Sequence, residues 1–244
     1  HRNTRPWNFD IKKSTVEAPA YDPNCYLCPG NLRVSGKRNP EYRDVFIFDN
    51  DHPVVGLHAP EIDPLKVSFH DGLYRTERAS GIARVVCYDP RHNVTLSDVT
   101  TAQVAGVFAS LREEMRFFEE HPAIKSVLIF ENKGEIVGVS NPHPHCQIYA
   151  TDFVSNIVVK ELASVADYKK EKNKNLFTDI IHAEQEDEVR VIAENEHAIA
   201  FIPFFARFAY EAYVFPKKRH ATLITMNDEE INGMAEVFQT LTRK

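Results

Sequence analysis

The segment from Ser140 to Tyr149 groups polar side chains in a way that suggests chemistry. Side chains alternate between the two faces of an extended chain, so His143, His145 and Gln147 share one face. Three polar groups in a row are costly to bury unless they bind something. A neutral imidazole is a nucleophile near neutral pH and also a metal ligand. This stretch therefore predicts a functional site built on histidine.

Cys25 and Cys28 form a second candidate site, because a two-residue spacing among turn-forming residues is the geometry of a metal knuckle. A redox pair or two incidental thiols are the alternatives, although no strand-then-helix context of the thioredoxin type surrounds the pair. A tetrahedral site needs two further ligands. Only Cys87 and Cys146 remain as thiols, so histidine is the favoured source of those ligands.

The composition limits what such sites can serve. The chain has 244 residues, a formal charge of -6 and 43% hydrophobic residues, which is ordinary for a globular protein. This charge gives no general attraction to nucleic acid or to an anionic membrane, so an anionic ligand must be met by local cations. The longest apolar stretches are strand-sized, and no signal-peptide pattern opens the chain. The small number of cysteines excludes a disulfide scaffold and favours a reducing, cytoplasmic setting.

The elements that must position these residues indicate an α+β fold with an antiparallel sheet. Apolar residues recur at helical spacing from about residue 100 to residue 120, and a charged helix is expected over residues 156–172. Asn227 is expected to cap a last helix. The acidic stretch 184–188 is expected to form a turn. Strands are predicted near residues 45–48, 84–88, 126–130, 146–150, 189–193, 197–202 and 210–215.

The two halves of the sequence share a pattern. Residues 86–96 and residues 213–223 each give an apolar strand, a proline, basic residues, a histidine and a Thr-Leu pair, followed by a helix with the spacing Val-Phe-x-x-Leu. So many features in one order predict a divergent internal duplication. The second copy has no counterpart of the His-x-His strand, and the chain starts at His1 rather than methionine. We therefore expect pieces of a longer protein to be missing at both ends.

The motifs resemble the galactose-1-phosphate uridylyltransferase branch of the histidine-triad superfamily over nearly the whole chain. His143-Pro144-His145-x-Gln147 is specific, because related nucleotide phosphorylases lack the His-Pro-His form. The resemblance implies two histidine-triad-like units, residues 1–155 and residues 156–244, of which the second is cut short at its C-terminus. Each would be a mainly antiparallel, half-barrel sheet with helices packed on it. The other motifs that carry the resemblance are Arg2-x2-Arg5-Pro6-Trp7, Cys25-x2-Cys28 with Pro29-Gly30-Asn31, Phe48-Asp49-Asn50-Asp51 and Phe130-Glu131-Asn132-Lys133-Gly134.

The resemblance implies a two-step exchange through a covalent uridylyl-histidine. His145 matches the nucleophile, which takes the uridylyl group from UDP-glucose and releases glucose-1-phosphate. Galactose-1-phosphate then accepts the group to give UDP-galactose. Gln147 and Ser140 match residues that contact the phosphates. Further substrate contacts are implied for Arg2, Arg5, Asn50, Asp51 and Asn132, and the two arginines would meet the ligand's negative charge.

The same resemblance implies the missing metal ligands. His92 and His143 match the histidines that complete a zinc site with Cys25 and Cys28, which would clamp the His143 segment and so orient the nucleophile. A second metal, iron or zinc, is bound in some members through a glutamate that matches Glu161. Its histidine partners have no counterpart in this sequence, and an exposed helix face is the alternative for Glu161.

Two other functions remain open from the sequence. The first is a nucleotidylyltransferase or phosphorylase that uses the same histidine chemistry on another sugar nucleotide. The second is a non-catalytic, zinc-stabilised protein that binds nucleotides without turnover. The family resemblance also implies a homodimer in which the partner subunit contributes to each site, with UDP-glucose and galactose-1-phosphate as ligands.

Overall fold

The computed structural model describes residues 18–134, 137, 139 and 141–243. Among these residues it contains nine strands, four α-helices and two single-turn 3-10 helices. The strands are β1 (Phe46–Asp49), β2 (Ser68–Phe69), β3 (Tyr74–Arg75), β4 (Gly81–Cys87), β5 (Ser126–Phe130), β6 (His145–Thr151), β7 (Val191–Glu194), β8 (Ala198–Phe201) and β9 (Tyr213–Pro216). The α-helices are α1 (Thr101–Glu119), α2 (Asn156–Lys172), α3 (Leu176–Asp187) and α4 (Asp228–Arg243), and the 3-10 helices cover Pro64–Lys66 and Leu223–Thr225.

The chain forms two compact units. The first unit comprises residues 21–92 and 113–161, and the second comprises residues 93–112 and 162–243 with the short segment 18–20. All strand pairs are antiparallel, which confirms the predicted fold class. In both halves a strand is followed by a histidine-bearing turn and a helix, as the repeat predicts, whereas the domain boundary at residue 155 stays a prediction.

The first unit is built on a four-stranded sheet with the order β1-β4-β6-β5. Strand β6 lies between β4 and β5, so both of its edges are hydrogen-bonded. The register pairs His145 with Cys87, and it places Gln147 between Val85 of β4 and Phe130 of β5. The predicted site residues therefore project from the middle of a sheet, where neighbouring strands fix the backbone.

Strand β6 confirms the predicted alternation of its side chains. Cys146, Ile148 and Ala150 are buried, whereas His145, Gln147 and Tyr149 are half-buried. The apolar face supplies the burial that stabilises the strand, at about 25 cal/mol for each Å² of apolar surface removed from water. The polar face is left available for a ligand.

The second unit buries both faces of β8, the central strand of its three-stranded sheet β7-β8-β9. Ala198 and Ala200 pack against Val237 of α4. Ile199 and Phe201 pack on the other face, against Ile181 of α3. Small residues face one helix and large residues face the other, so this strand is covered by a helix on each side.

Helix α3 was not predicted, and the expectation of an acidic turn at residues 184–188 is wrong. Residues 184–187 form the last turn of α3, and only Glu188 leaves the helix, with a left-handed φ of 56°. Glu184 is buried because its carboxylate forms an ion pair with Arg190 at 2.8 Å. Because the sequence does not reveal this partner, a run of acidic residues is interpreted as a solvent-exposed turn.

Helix α4 begins with a reciprocal capping box, which confirms Asn227 as its N-cap. The Asn227 side chain accepts a hydrogen bond from the backbone N–H of Glu230 at 2.9 Å, and the Glu230 carboxylate accepts one from the N–H of Asn227 at 2.9 Å. Lys218 also donates to Glu230 at 2.9 Å. These contacts satisfy donors at the start of a helix that packs on β8.

We expect Glu230→Gln to lower the melting temperature at pH 7. The hydrogen bond from Lys218, followed by that from the Asn227 backbone, lowers the pKa of Glu230 from 4.5 to about 2. Because the folded-state pKa is depressed, the stabilisation is fully present above pH 4.5 and is lost as the pH falls towards 2. Melting curves at several acidic pH values should show the two proteins converging. Glu229→Gln, at an exposed neighbouring position, is the control. A difference in melting temperature between Glu230→Gln and the wild type that stays the same at every pH contradicts this role of the Glu230 carboxylate.

None of the helices in the described residues combines the length and the apolar character needed to cross a membrane.

Candidate active site and metal centre

The cysteine pair lies in a tight loop that its own backbone closes. The Cys28 N–H donates to the Cys25 carbonyl at 3.2 Å, and the Leu27 N–H points to the Cys25 Sγ at 3.3 Å. Gly30 has a φ of +73°, and a Cβ there would lie 2.2 Å from a Glu41 carboxylate oxygen. The positive φ strains any other residue at this position, so glycine is favoured where the chain turns after the cysteine pair.

Two asparagine side chains hold this loop through hydrogen bonds to its backbone carbonyls. The Asn31 amide donates to the carbonyls of Asp22 and Cys25 at 2.9 and 2.8 Å. The buried Asn39 amide donates to the carbonyls of Tyr26 and Cys28, both at 3.0 Å. These side-chain hydrogen bonds add to the backbone ones within the loop and hold the knuckle in shape.

Cys25, Cys28, His92 and His143 come together as one buried cluster, as the resemblance implied. Their ligand atoms all lie within 4.8 Å of one another. The Cys28 Sγ lies 3.7 Å from the Nδ1 of His92 and 3.6 Å from the Nδ1 of His143. Two thiols and two imidazoles that converge from the knuckle, the turn after β4 and the entry to β6 form a cluster that could hold a metal ion with four ligands.

The hydrogen bond of His143 determines which ring nitrogen faces the cluster. The Tyr42 hydroxyl donates to the Leu27 carbonyl at 2.7 Å, so it must accept from the Nε2–H of His143, which lies 2.8 Å away. The proton on Nε2 leaves Nδ1 unprotonated, and Nδ1 is the atom next to the Cys28 Sγ. Tyr42 thus selects the tautomer that can ligate a metal.

The ionisation of the cluster fits a cation. Burial, followed by the charge of His92, lowers the pKa of His143 to about 4, so its ring is neutral at physiological pH. Burial raises the pKa of Cys28 to about 11 when no positive charge is nearby. A metal ion supplies that charge and allows the thiol to ionise, so binding should release protons.

Asn141 supports the same cluster, although the sequence, which places it beside the histidine motif, gave it no role of its own. Its Nδ2 donates to the Cys25 Sγ at 3.3 Å, and its Oδ1 accepts the backbone N–H of His143 at 2.9 Å. The side chain therefore joins one ligand to the backbone of another. An Asn-Pro sequence before the first histidine is the local signal for such a turn.

His145 is oriented by the backbone of the neighbouring ligand. Its Nδ1–H donates to the carbonyl of His143 at 2.7 Å. A carbonyl can only accept, so Nδ1 carries a proton, and the neutral form of this ring has its lone pair on Nε2. The ring is half-buried. The predicted nucleophile therefore has its free nitrogen turned away from the backbone that holds the ring.

Gln147 and Asn50 lie together beside this histidine. The Asn50 amide approaches the Oε1 of Gln147 at 3.5 Å, and the Tyr149 hydroxyl approaches the same oxygen at 3.4 Å. Both contacts use the acceptor end of Gln147 and leave its NH₂ group to donate. Asp51, the next residue after Asn50, lies 3.4 Å from the guanidinium of Arg33.

Comparison with known proteins places this geometry in a family. A model described as "Galactose-1-phosphate uridyl transferase, N-terminal domain" matches residues 1–155. The chain belongs to the galactose-1-phosphate uridylyltransferase family. A second model, a domain of unknown function, matches residues 101–242. The resemblance stated from the His-Pro-His motif is therefore confirmed.

Relatives in this family match the full chain. The galactose-1-phosphate uridylyltransferase of Haemophilus influenzae is 36% identical over 245 residues, which cover 100% of this chain and 68% of the relative. That of Saccharomyces cerevisiae is 35% identical, with 100% of this chain and 69% of the relative covered. A solved structure titled as a uridylyltransferase aligns with a TM-score of 0.78 and 30% identity, over 91% of this chain and 68% of that chain.

A structure of an ADP-glucose phosphorylase from Arabidopsis thaliana shares the fold, with a TM-score of 0.71 at 20% identity. The alignment covers 98% of this chain and 69% of the phosphorylase chain. This likeness concerns the fold alone. It shows that the uridylyltransferase fold also serves a protein with a different name.

Tyr88 and Glu131 form a further pair next to the family's histidine motif. The buried Tyr88 hydroxyl donates to the Glu131 carboxylate at 2.7 Å, and the Tyr88 N–H donates to the Pro144 carbonyl at 3.3 Å. Burial raises the pKa of Glu131, although the hydrogen bond from Tyr88 opposes this. The pair ties the loop after β5, which carries Asn132, to the backbone that precedes His145.

The remaining predicted site residues have varied positions. Asn132 is exposed in the loop after β5. Glu161 is exposed on α2 and belongs to no group of three or more potential ligands among the described residues. Its role in a second metal site stays a prediction. Arg2, Arg5 and Ser140 lie outside the described residues.

Proposed function

We propose that this protein transfers a uridylyl group from UDP-glucose to galactose-1-phosphate, through a covalent intermediate on His145. Curated relatives with the name galactose-1-phosphate uridylyltransferase support the reaction. The observation that carries the histidine's role is the hydrogen bond from its Nδ1–H to the His143 carbonyl at 2.7 Å. It presents an unprotonated Nε2 on a side chain that is still partly open to a ligand.

In the first half-reaction, the Nε2 lone pair attacks the α-phosphorus of UDP-glucose. A nitrogen–phosphorus bond forms, the bond from this phosphorus to the bridging oxygen breaks, and glucose-1-phosphate leaves with the electron pair. The ring is then cationic, and the His143 carbonyl keeps its Nδ1–H in place and stabilises the charge. A phosphate oxygen of galactose-1-phosphate attacks in the second half-reaction, and the nitrogen–phosphorus bond breaks.

Gln147 is proposed to steady the phosphoryl oxygens during both steps. Its Oε1 faces Asn50 and Tyr149, so its NH₂ group is the end that can donate to an anion. We propose Ser140, Arg2 and Arg5 as further phosphate contacts. Asn50, Asp51 and Asn132 are proposed substrate contacts. The two arginines would compensate a dianionic ligand in a protein whose own net charge is -6.

We propose zinc as the ion held by Cys25, Cys28, His92 and His143, because two thiolates and two imidazoles are the donor set of structural zinc. Such an ion supplies positive charge and cross-links its ligands. His143 is held from both sides, by the cluster and by Tyr42, and its carbonyl orients His145. The metal centre is thus proposed to act on the reaction by positioning. A second metal at Glu161 would need ligands that the described cluster does not include.

We also propose a cytoplasmic, homodimeric enzyme whose partner subunit contributes to each site. The free state of Cys25, Cys28, Cys87 and Cys146 supports a reducing compartment. Dimerisation rests on the family resemblance, and sedimentation of the protein tests it directly.

The proposed reaction is tested by incubating the protein with UDP-glucose and a choice of acceptors. We expect UDP-galactose to form with galactose-1-phosphate, and inorganic phosphate to support turnover at less than about a hundredth of that rate. Product analysis by chromatography distinguishes the outcomes. Faster release of glucose-1-phosphate with inorganic phosphate would assign a phosphorylase instead, and tight UDP-glucose binding without product would assign a binding protein.

A further inference from the structure

Arg33, in the loop between the cysteine pair and β1, has a buried guanidinium. Its side chain is 9% exposed. Its Nε and Nη1 atoms are buried and find no hydrogen-bond partner in the part of the chain that the structure describes. Buried charges are normally both paired and hydrogen-bonded. A cation in this unusual state, next to a predicted substrate residue, needs a functional explanation.

Two contacts hold this guanidinium. Its Cζ lies 4.2 Å from the centre of the Phe48 ring, which is a cation–π distance. Its Nη1 lies 3.4 Å from the Oδ1 of Asp51, as an ion pair rather than a hydrogen bond. The other carboxylate oxygen of Asp51 accepts the N–H of Ser35 at 3.3 Å. Residues 33–35 therefore hold both oxygens of one carboxylate.

A stack of aromatic rings connects Phe48 to the metal centre. Its ring stacks on Phe46 with the centroids 5.2 Å apart, and Phe46 stacks on Tyr42 at 5.1 Å. Tyr42 is the residue that hydrogen-bonds to His143. A continuous stack of side chains thus runs from a predicted metal ligand to Arg33. The guanidinium is thus connected, through Phe48 and Phe46, to the tyrosine that hydrogen-bonds to His143.

The chemistry of Asp51 limits what it can bind. A carboxylate only accepts hydrogen bonds, and its charge repels the diphosphate. Asp51 can therefore bind only hydrogen-bond donors of UDP-glucose. In the nucleoside these donors are the ribose hydroxyls and the N3–H of uracil. We infer that Arg33 is a positioning residue, which holds Asp51 for the nucleoside part of the donor substrate. This inference rests on the proposed function.

Isothermal titration of UDP into purified, metal-loaded protein tests the inference through a double-mutant cycle. We expect Arg33→Met and Asp51→Asn each to weaken UDP binding by about 10- to 100-fold, since supporting residues have effects of this size. The double variant should bind no more weakly than the weaker single variant, within about threefold, because both changes remove one unit. Arg116→Met removes an exposed arginine ion pair on α1 and should leave the affinity unchanged.

Kinetics separate positioning from a general structural role. For Arg33→Met we expect a raised KM for UDP-glucose, with kcat within about threefold of the wild type, because uniform binding is lost and the histidine is untouched. If Arg33→Met does not fold, Arg33→Lys takes its place in the cycle. It keeps the positive charge but loses the guanidinium that lies over Phe48, and about a tenfold loss of UDP affinity is expected.

The outcomes are distinguishable. The inference on Arg33 is overturned if both Arg33 variants bind UDP as tightly as the wild type, or if the losses of affinity multiply in the double variant. In either case, uridylyl transfer by the wild type still upholds the proposed function. A wild-type protein that neither binds UDP nor transfers the uridylyl group overturns both.

Discussion

Replacing His145 with alanine is expected to reduce uridylyl transfer by about 10⁴-fold or more, because the variant has no atom to carry the uridylyl group. Binding should survive the change. The ring is half-buried, and its Nδ1 contact to the His143 carbonyl is local, so the sheet and the metal cluster do not depend on it. We expect the UDP affinity of His145→Ala to stay within about tenfold of the wild type. Initial rates with UDP-glucose and galactose-1-phosphate, measured beside UDP titrations, give both numbers.

A control variant and a second active-site variant sharpen this test. His182→Ala removes an exposed histidine of α3 in the second unit and should leave the rate unchanged. Gln147→Ala should lose about 10²- to 10³-fold, which is typical for one donor to a reacting oxyanion, while the nucleophile remains. A His145→Ala protein that retains more than a hundredth of the wild-type rate would remove this histidine from the proposed role.

The second large effect concerns the metal centre. Cys28→Ser is expected to lose the bound metal and to lower the free energy of unfolding by several kcal/mol, since structural zinc contributes about 10–16 kcal/mol to small zinc domains. Cys28 is fully buried, and its Sγ faces both histidine ligands. Without the ion, the Cys25 thiol, the new hydroxyl and two imidazoles remain buried and poorly paired. Transfer activity should fall as well, because His143 would lose its anchor in the cluster and keep only the contacts to Tyr42 and Asn141.

Elemental analysis and thermal melts check this prediction together. The wild type should carry about one zinc per chain, and Cys28→Ser should carry less than about a tenth of that amount, with a melting temperature lower by about 10 °C or more. Cys146→Ala is the matched control, since this buried thiol lies on the opposite face of β6 from His145 and outside the cluster. It should keep both the zinc and the activity. A wild type that folds without metal contradicts the assignment.

Local periodicity was sufficient to predict the parts of the fold that carry the chemistry. The alternation of β6 follows directly from the sequence, because a two-residue period assigns His145 and Gln147 to one face whatever the rest of the chain does. Helix α1 and the N-cap of α4 were also predictable, since their signals lie within a few neighbouring residues.

Features that depend on distant partners could not be predicted in the same way. Helix α3 was missed because Glu184 is buried only through its ion pair with Arg190. Tyr42 selects the tautomer of His143 from 101 residues away, and no local pattern marks it. The Asn-Pro sequence predicts the turn at Asn141, but not the contact from its side chain to Cys25, which is 116 residues away. The ligand set of the metal centre came from family resemblance, because residues 64 apart, such as Cys28 and His92, share no local pattern.

The proposed reaction requires a covalent uridylyl-histidine, which intact-mass spectrometry can detect. Protein mixed with UDP-glucose in the absence of an acceptor should gain the mass of one uridylyl group. Peptide mapping should place it on His145, and the adduct should disappear when galactose-1-phosphate is added. The His145→Ala protein should gain no mass. Rapid turnover by wild-type protein that never carries the adduct, or an adduct on another residue, would contradict the central claim.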